Sequence, residues 1–203
     1  PGSPASPAVL TFALDQIVEV VDGVGERDLD RIKDLANEGL SDEALQAIES
    51  VRSKLWPLLQ PQTRARALRM KAAILMNVKV DLAAAKALLV EADALDPAAS
   101  PTPVHARLVA LEQGAETALT LLCGREGLNE RNARAGFLIE LNRPAEALVE
   151  LDFTATPLAP DAETYRLRAL ASLCQGELAL ARLNAERALE IAPRWAAVRY
   201  AAA

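Results

Sequence analysis

Aromatic residues make up only 3 % of this 203-residue chain, and runs of β-branched residues are scarce as well. Strands draw on both classes, so the composition argues against a sheet protein. Histidine occurs once, at His105, with no HxxxH and no Cys/His cluster beside it, so no set of zinc ligands is in view. The two cysteines, Cys123 and Cys174, belong to no CxxC pair. Each falls near the end of an expected helix, where Cys acts as a small hydrophobe, and the expectation is two buried free thiols in a reducing compartment. No GxSxG or P-loop string occurs. Gly23-Val24-Gly25 opens like a dinucleotide fingerprint, but Asp28 stands where its third Gly belongs and no strand precedes it. The reading is a protein that is not an enzyme, with no catalytic residue, metal or cofactor.

Positive charge is not in excess either. The formal charge is −6 and the pI near 5.0, whereas a nucleic-acid binder usually presents a net basic face. No apolar run reaches the roughly 18 residues that span a bilayer, and no signal peptide is visible. Neither nucleic acid nor membrane is expected as a partner, and a cytoplasmic location is. Asp28-Leu29-Asp30, Asp42-Glu43 and Glu190 read as carboxylates on exposed helix faces or near helix N-termini. Arg64, Arg66, Arg69 and Lys71 read as a solvated helix start rather than a phosphate site.

What the chain does have is Ala and Leu. Hydrophobic residues make up 51 % of it, much of that from these two strong helix formers, and the pattern repeats. The clearest unit runs from Ala162 to Trp195. A first helix over about 162–174 is followed by a turn at Gln175-Gly176, a second helix over about 177–191 and a stop at Pro193. A step of 34 residues back aligns Ala135 with Ala169, Ala147 with Ala181 and Leu151 with Ala185, with Asn142 in place of the turn Gly. Arg66 to Ala99 repeats the scheme through Ala73, Met76, Ala85, Leu89, Ala92 and Leu95-Asp96-Pro97, with Val80 at the turn. Gly25 to Leu58 fits through Leu35, Gly39, Ala44 and Ile48, and about seven extra residues, Leu59 to Ala65, follow it. The poorest unit is 99–127. Thr102-Pro103 opens it as N-cap and first helical residue, and Cys123-Gly124 is expected to end its second helix early.

These units resemble the tetratricopeptide repeat family. The family pattern falls on Tyr165, Ala169, Gly176, Ala181, Ala185, Ala188 and Pro193, while Arg168 and Ser172 depart from its apolar preference. The resemblance implies an all-α fold, a right-handed α-solenoid of antiparallel helix pairs with about five repeats plus an N-terminal helix. Residues 1–7, opening on Pro1-Gly2-Ser3, read as a tag remnant and disordered start. Residues 8–203 read as a single repeat domain: a helix over 8–22 ended by Gly23-Val24-Gly25, repeats at about 25–58, 66–99, 99–127, 128–161 and 162–195, and a terminal helix over 195–203.

The family's first helices line a concave surface. By register, the candidates to hold a partner are Lys33, Asn37, Met70, Ile74, Asn77, Arg107, Asn132, Gly136, Arg166, Leu170 and Leu173. Lys33-Asn37 also resembles the first half of a clamp with which one family subgroup grips a chain-terminal carboxylate; Asn77 and Arg107 do not complete that pattern. The function expected is a protein-interaction module or scaffold presenting a groove to a peptide or another protein, as part of a larger protein or assembly. The alternative is a regulatory or autoinhibitory domain of an enzyme on the same chain, and a homo-oligomer stays open.

Helix pairs of this length must pack closely on their neighbours, and Ala73, Ala85, Ala135, Ala147, Ala169 and Ala181 are expected at the closest approaches. Replacing Ala147 or Ala181 with Leu is therefore expected to overpack a contact and cost roughly 1–3 kcal/mol, read as a shift in the urea unfolding midpoint.

Overall fold

The computed structural model describes residues 14–79, 81–154 and 158–195. Among them are ten α-helices and no strand. In chain order they are α1 (Leu14–Asn37), α2 (Ser41–Lys54), α3 (Pro61–Ile74), α4 (Leu82–Leu95), α5 (Pro103–Gln113), α6 (Ala115–Leu121), α7 (Leu128–Glu140), α8 (Pro144–Glu150), α9 (Ala162–Cys174) and α10 (Leu178–Ile191). Each odd-numbered helix packs most heavily on the even-numbered helix that follows it. The pairs also meet in series: α1 on α3, α3 on α5, α5 on α7 and α7 on α9, with each even helix touching the next odd one.

Local signals start several of these helices. Pro61, Pro103 and Pro144 open α3, α5 and α8, where a missing N–H costs nothing. Asp81 and Asp161 cap α4 and α9 by accepting from the backbone N–H groups of Ala84 (3.0 Å) and Thr164 (2.8 Å). Inside three pairs the chain reverses through a left-handed residue two places before the second helix: Gly39 (φ 85°), Asn142 (φ 57°) and Gly176 (φ 78°). Before α4, α3 winds into a π-helical turn over Leu75–Lys79.

The apolar core is distributed, and its members cross from pair to pair. One cluster joins Leu29, Ile32, Ala44 and Ile48 of α1 and α2 to Ala67 and Ile74 of α3. The next joins Leu68, Ala72, Leu88 and Leu89 of α3 and α4 to Leu108 of α5. Ala106 and Ala118 share a cluster with Phe137 of α7, and Leu138 and Leu151 share one with Leu167 and Ala171 of α9. Each buried Leu contributes about 1.5–3 kcal/mol. A pair cut out of the series loses that stabilisation on the face its neighbour covered.

Several expectations change in three dimensions. Gly23-Val24-Gly25 does not end a helix; α1 runs through it to Asn37. Gly25 is buried there, and Leu59 occupies the space a Cβ would need. Two glycines cost a helix interior about 1 kcal/mol each in propensity, and the close approach of Leu59 is the packing set against that cost. The extra residues 59–65 are not a spacer: Leu59, Thr63 and Ala65 are buried, and the last two lie on α3. Cys123 and Cys174 are free and exposed rather than buried. The helix segments expected over 8–13 and 196–203 lie outside the described residues.

Two second helices are short. α6 and α8 have seven residues each, against 14 in α2, α4 and α10. The sequence foresees this for α6 and not for α8. A helix end leaves carbonyls without donors, and arginines from neighbouring helices supply them. Arg134 of α7 donates to the carbonyls of Leu122 (3.0 Å) and Arg125 at the end of α6, and its other nitrogen reaches Glu150 at 2.7 Å. Arg131 donates to the carbonyls of Glu150 (2.8 Å) and Asp152 (2.9 Å) at the end of α8, with its guanidinium over the Phe153 ring. Arg168 of α9 donates to the Leu151 carbonyl (2.5 Å). This is what the departure from the repeat pattern at Arg168 accomplishes. Ser172, the other departure, is fully buried, and its hydroxyl has no hydrogen-bond partner among the described residues.

Two outcomes follow. Arg134→Met strips a donor from two carbonyls and leaves Glu150 unpaired, so it is expected to cost about 3–5 kcal/mol, read by chemical unfolding. Ala147 is fully buried whereas Ala181 is half-buried. Ala147→Leu therefore retains the expected overpacking cost of about 1–3 kcal/mol, and Ala181→Leu is now expected to cost clearly less in the same measurement.

Candidate partner-binding groove

The odd-numbered helices of all five pairs converge on one hollow. A cavity of about 940 Å³ is walled by Glu26 of α1, Arg66 and Met70 of α3, Arg107 of α5, Asn132, Gly136 and Phe137 of α7, and Arg166 of α9. A second, of about 470 Å³, adjoins it and shares Met70, Ala73, Asn77, Glu163 and Arg166. It adds Lys33, Ala36 and Asn37 of α1, Ile74 of α3, and Trp195 beyond α10. Apart from Asp96 at the end of α4 and the segment after α10, the walls are odd-helix residues, the N-cap Thr102 and the π turn.

The register-selected residues divide cleanly. Lys33, Asn37, Met70, Ile74, Asn77, Arg107, Asn132, Gly136 and Arg166 all line one or both cavities. Leu170 and Leu173, on α9, line neither; Leu170 is half-buried and Leu173 is 53 % exposed. Ile139, one repeat earlier than Leu173, packs into the core shared with α9. No described helix covers α9 in the same way. Ile74 is 6 % exposed and belongs to the core of the first two pairs, so it touches the hollow only at its edge.

Most charges around the hollow are matched. Arg107 donates to Glu140 at 2.6 Å, tying α5 to α7. Arg66 of α3 bonds Glu26 and, at 3.0 Å, Asp30, both on α1. Arg69 bonds Asp96 at 3.0 Å. Burial works against the charge of Arg166, but its hydrogen bonds to Glu163, with the carboxylate's charge, outweigh that and hold the guanidinium pKa above its ordinary value. Arg64 donates to the Pro57 carbonyl at 3.0 Å, and Lys71 pairs with Glu49. The four-cation cluster of the sequence is thus absorbed by contacts within the fold, against the expectation of a solvated helix start.

Asn132 is committed as well. It is 5 % exposed, donates to Asp161 at 3.2 Å, and has the Thr164 hydroxyl 3.0 Å from its carbonyl oxygen. It links α7 to the cap of α9 and forms floor rather than a free contact. His105 has a local task. Its Nδ1 accepts from the Thr102 N–H at 3.2 Å and its Nε2 lies 3.0 Å from Asp93, so Nε2 carries the proton and the ring closes the start of α5. Among the described residues no group of His, Cys, Asp and Glu is arranged to hold a metal ion, and no helix is long and apolar enough to cross a membrane. A further recess of about 400 Å³ lies among α6, α7 and α8, beside the Arg134–Glu150 and Arg143–Glu146 pairs.

Other wall residues escaped the sequence reading. Arg66 stands one turn before Met70 and Glu163 one turn before Arg166, so the register that selected the later residues also contained these. Trp195 follows the closing Pro193, outside any repeat position, and had no such signal. Compared with known proteins, the chain matches no family model, no curated protein and no solved structure. Asn132→Ala is expected to leave Asp161 and Thr164 short of a buried partner and to cost about 1–3 kcal/mol, measured by thermal or urea unfolding.

Proposed function

We propose that this chain is a tetratricopeptide-like array, a right-handed solenoid of five helix pairs, and that it acts as an interaction module holding another protein or peptide in the hollow of its odd-numbered helices. The observation that carries this reading is the convergence of α1, α3, α5, α7 and α9 on one connected pair of cavities. The serial contacts of those helices and the left-handed turn residues at Gly39, Asn142 and Gly176 support the repeat assignment. The mixture of apolar walls, such as Met70 and Phe137, with amides and paired charges suits a polypeptide better than a small apolar ligand. The partner and the larger assembly belong to the same proposal.

The test is affinity capture on the chain itself, compared with two variants. Met70 is half-buried on the cavity wall, so Met70→Glu puts a charge into the hollow. Ile74 is unsuitable for the same change because it is core. Val149, 73 % exposed on α8, provides the control Val149→Glu. A partner held by the wild type and by Val149→Glu, and weakened about tenfold or more by Met70→Glu, agrees with the proposal. A partner held equally by all three removes the hollow from its binding.

A further inference from the structure

The last helix pair carries a surface that the hollow does not use. Among the described residues, α2 and α6 expose no large apolar side chain, and α4 and α8 expose one each, Val90 and Val149. By contrast α10 exposes Leu178, Leu180, Leu183 and Ile191. Three of these form a row. Leu180, Leu183 and Ile191 stand with Arg187 at spacings of three, four and four residues, which places them along one side of the helix. α10 packs on α9 through another side, where Asn184, Ala185 and Ala188 are buried. Beyond α10, Ala192 and Trp195 turn to that packed side as well and join Ala188 and Ala162 in one cluster.

Charge narrows what can cover the row. The chain as a whole carries −6. α10 is neutral: its arginines and glutamates pair as Arg182–Glu186 (2.8 Å) and Arg187–Glu190 (2.7 Å). Glu177 before the helix and Arg194 after it keep the balance. A neutral face does not select a strongly charged partner, and a second copy of an acidic chain can settle there without like-charge repulsion. The row is also self-complementary. With two α10 helices antiparallel across a two-fold axis, one register sets Leu180 of each copy opposite Ile191 of the other, and Leu183 opposite Arg187. The methylene stem of Arg187 then covers Leu183, and its guanidinium comes within reach of Glu186 on the other copy. Area sets the strength. The 14 residues of α10 span about 21 Å. That is too little for the ~800 Å² per partner of a tight dimer, so the contact belongs to the weak, concentration-dependent class.

We propose that this row is a homodimer surface, occupied by α10 of a second copy across a two-fold axis. It does not depend on the hollow being the partner site. The test is sedimentation equilibrium on the full chain from about 1 μM to about 1 mM. The expected mass rises over that range from the 21.7 kDa monomer toward the dimer. Leu183→Glu is expected to weaken association about tenfold or more. Leu183 is 54 % exposed, so this variant should keep its unfolding midpoint, which is checked first. Met70→Glu in the hollow and Val149→Glu on α8 should associate like the wild type, which separates this result from that of partner capture. Two further variants read the charges. Arg182→Glu/Arg187→Glu and Glu186→Arg/Glu190→Arg should each lose self-association, and an equimolar mixture of the two at low salt should regain it. A chain that stays monomeric throughout, or a dimer that keeps its affinity in Leu183→Glu, overturns the proposal. So does a mixture of the charge variants that associates no more than its components.

Discussion

A carbonyl at the end of a helix needs a donor, and in this molecule the donor repeatedly comes from the helix next door. Arg134, Arg131 and Arg168 each reach the frayed end of a second helix, and Arg69 reaches the Asp96 carbonyl at 2.9 Å in the same manner. The negative end of the helix dipole favours a cation there, and the guanidinium fork can serve two carbonyls at once. Without these ties the seven-residue α6 and α8 would be too short to hold their ends in place by their own ladders. Arg131 and Arg69 tie a second helix to its own partner, and Arg134 and Arg168 join one pair to the next.

That constraint shapes the hollow. Because arginines are used at the junctions and again as Arg66, Arg107 and Arg166 against carboxylates, few wall charges are left over. The even-numbered helices bury one face against their partners and turn the other outward, as Val149 and Leu183 do on α8 and α10. The odd-numbered helices touch both neighbours and line the cavities with the face that remains. The division of labour follows from stacking alone: the first helix of each pair is gripped on two sides and so holds its exposed side chains in fixed positions, which a binding surface requires.

The π turn over Leu75–Lys79 at the end of α3 is wound more loosely than an α-helix. Asn77 lies within that turn and lines both cavities.

The positions of the helix pairs were written in the amino-acid sequence, because the signals that set them are local. The 34-residue spacing, Ala at close contacts, Asn142 and Gly176 at turns and Pro at helix starts act within a few residues of themselves, and α9 and α10 fall within one residue of their expected limits. Most of the residues the same register selected, nine of eleven, line the wall. What the sequence left undecided is where long polar side chains end. Arg69 meets Asp96 across 27 positions and Arg66 meets Glu26 across 40, distances at which nothing local indicates a partner. Gly25 looked like a helix stop until Leu59 supplied the contact that offsets its weak propensity, and Asn132 looked like a free amide until α9 arrived beside it. Arg194, beyond α10, lies 3.9 Å from Glu38 at the end of α1, a closeness of the first and last pairs that no single segment contains.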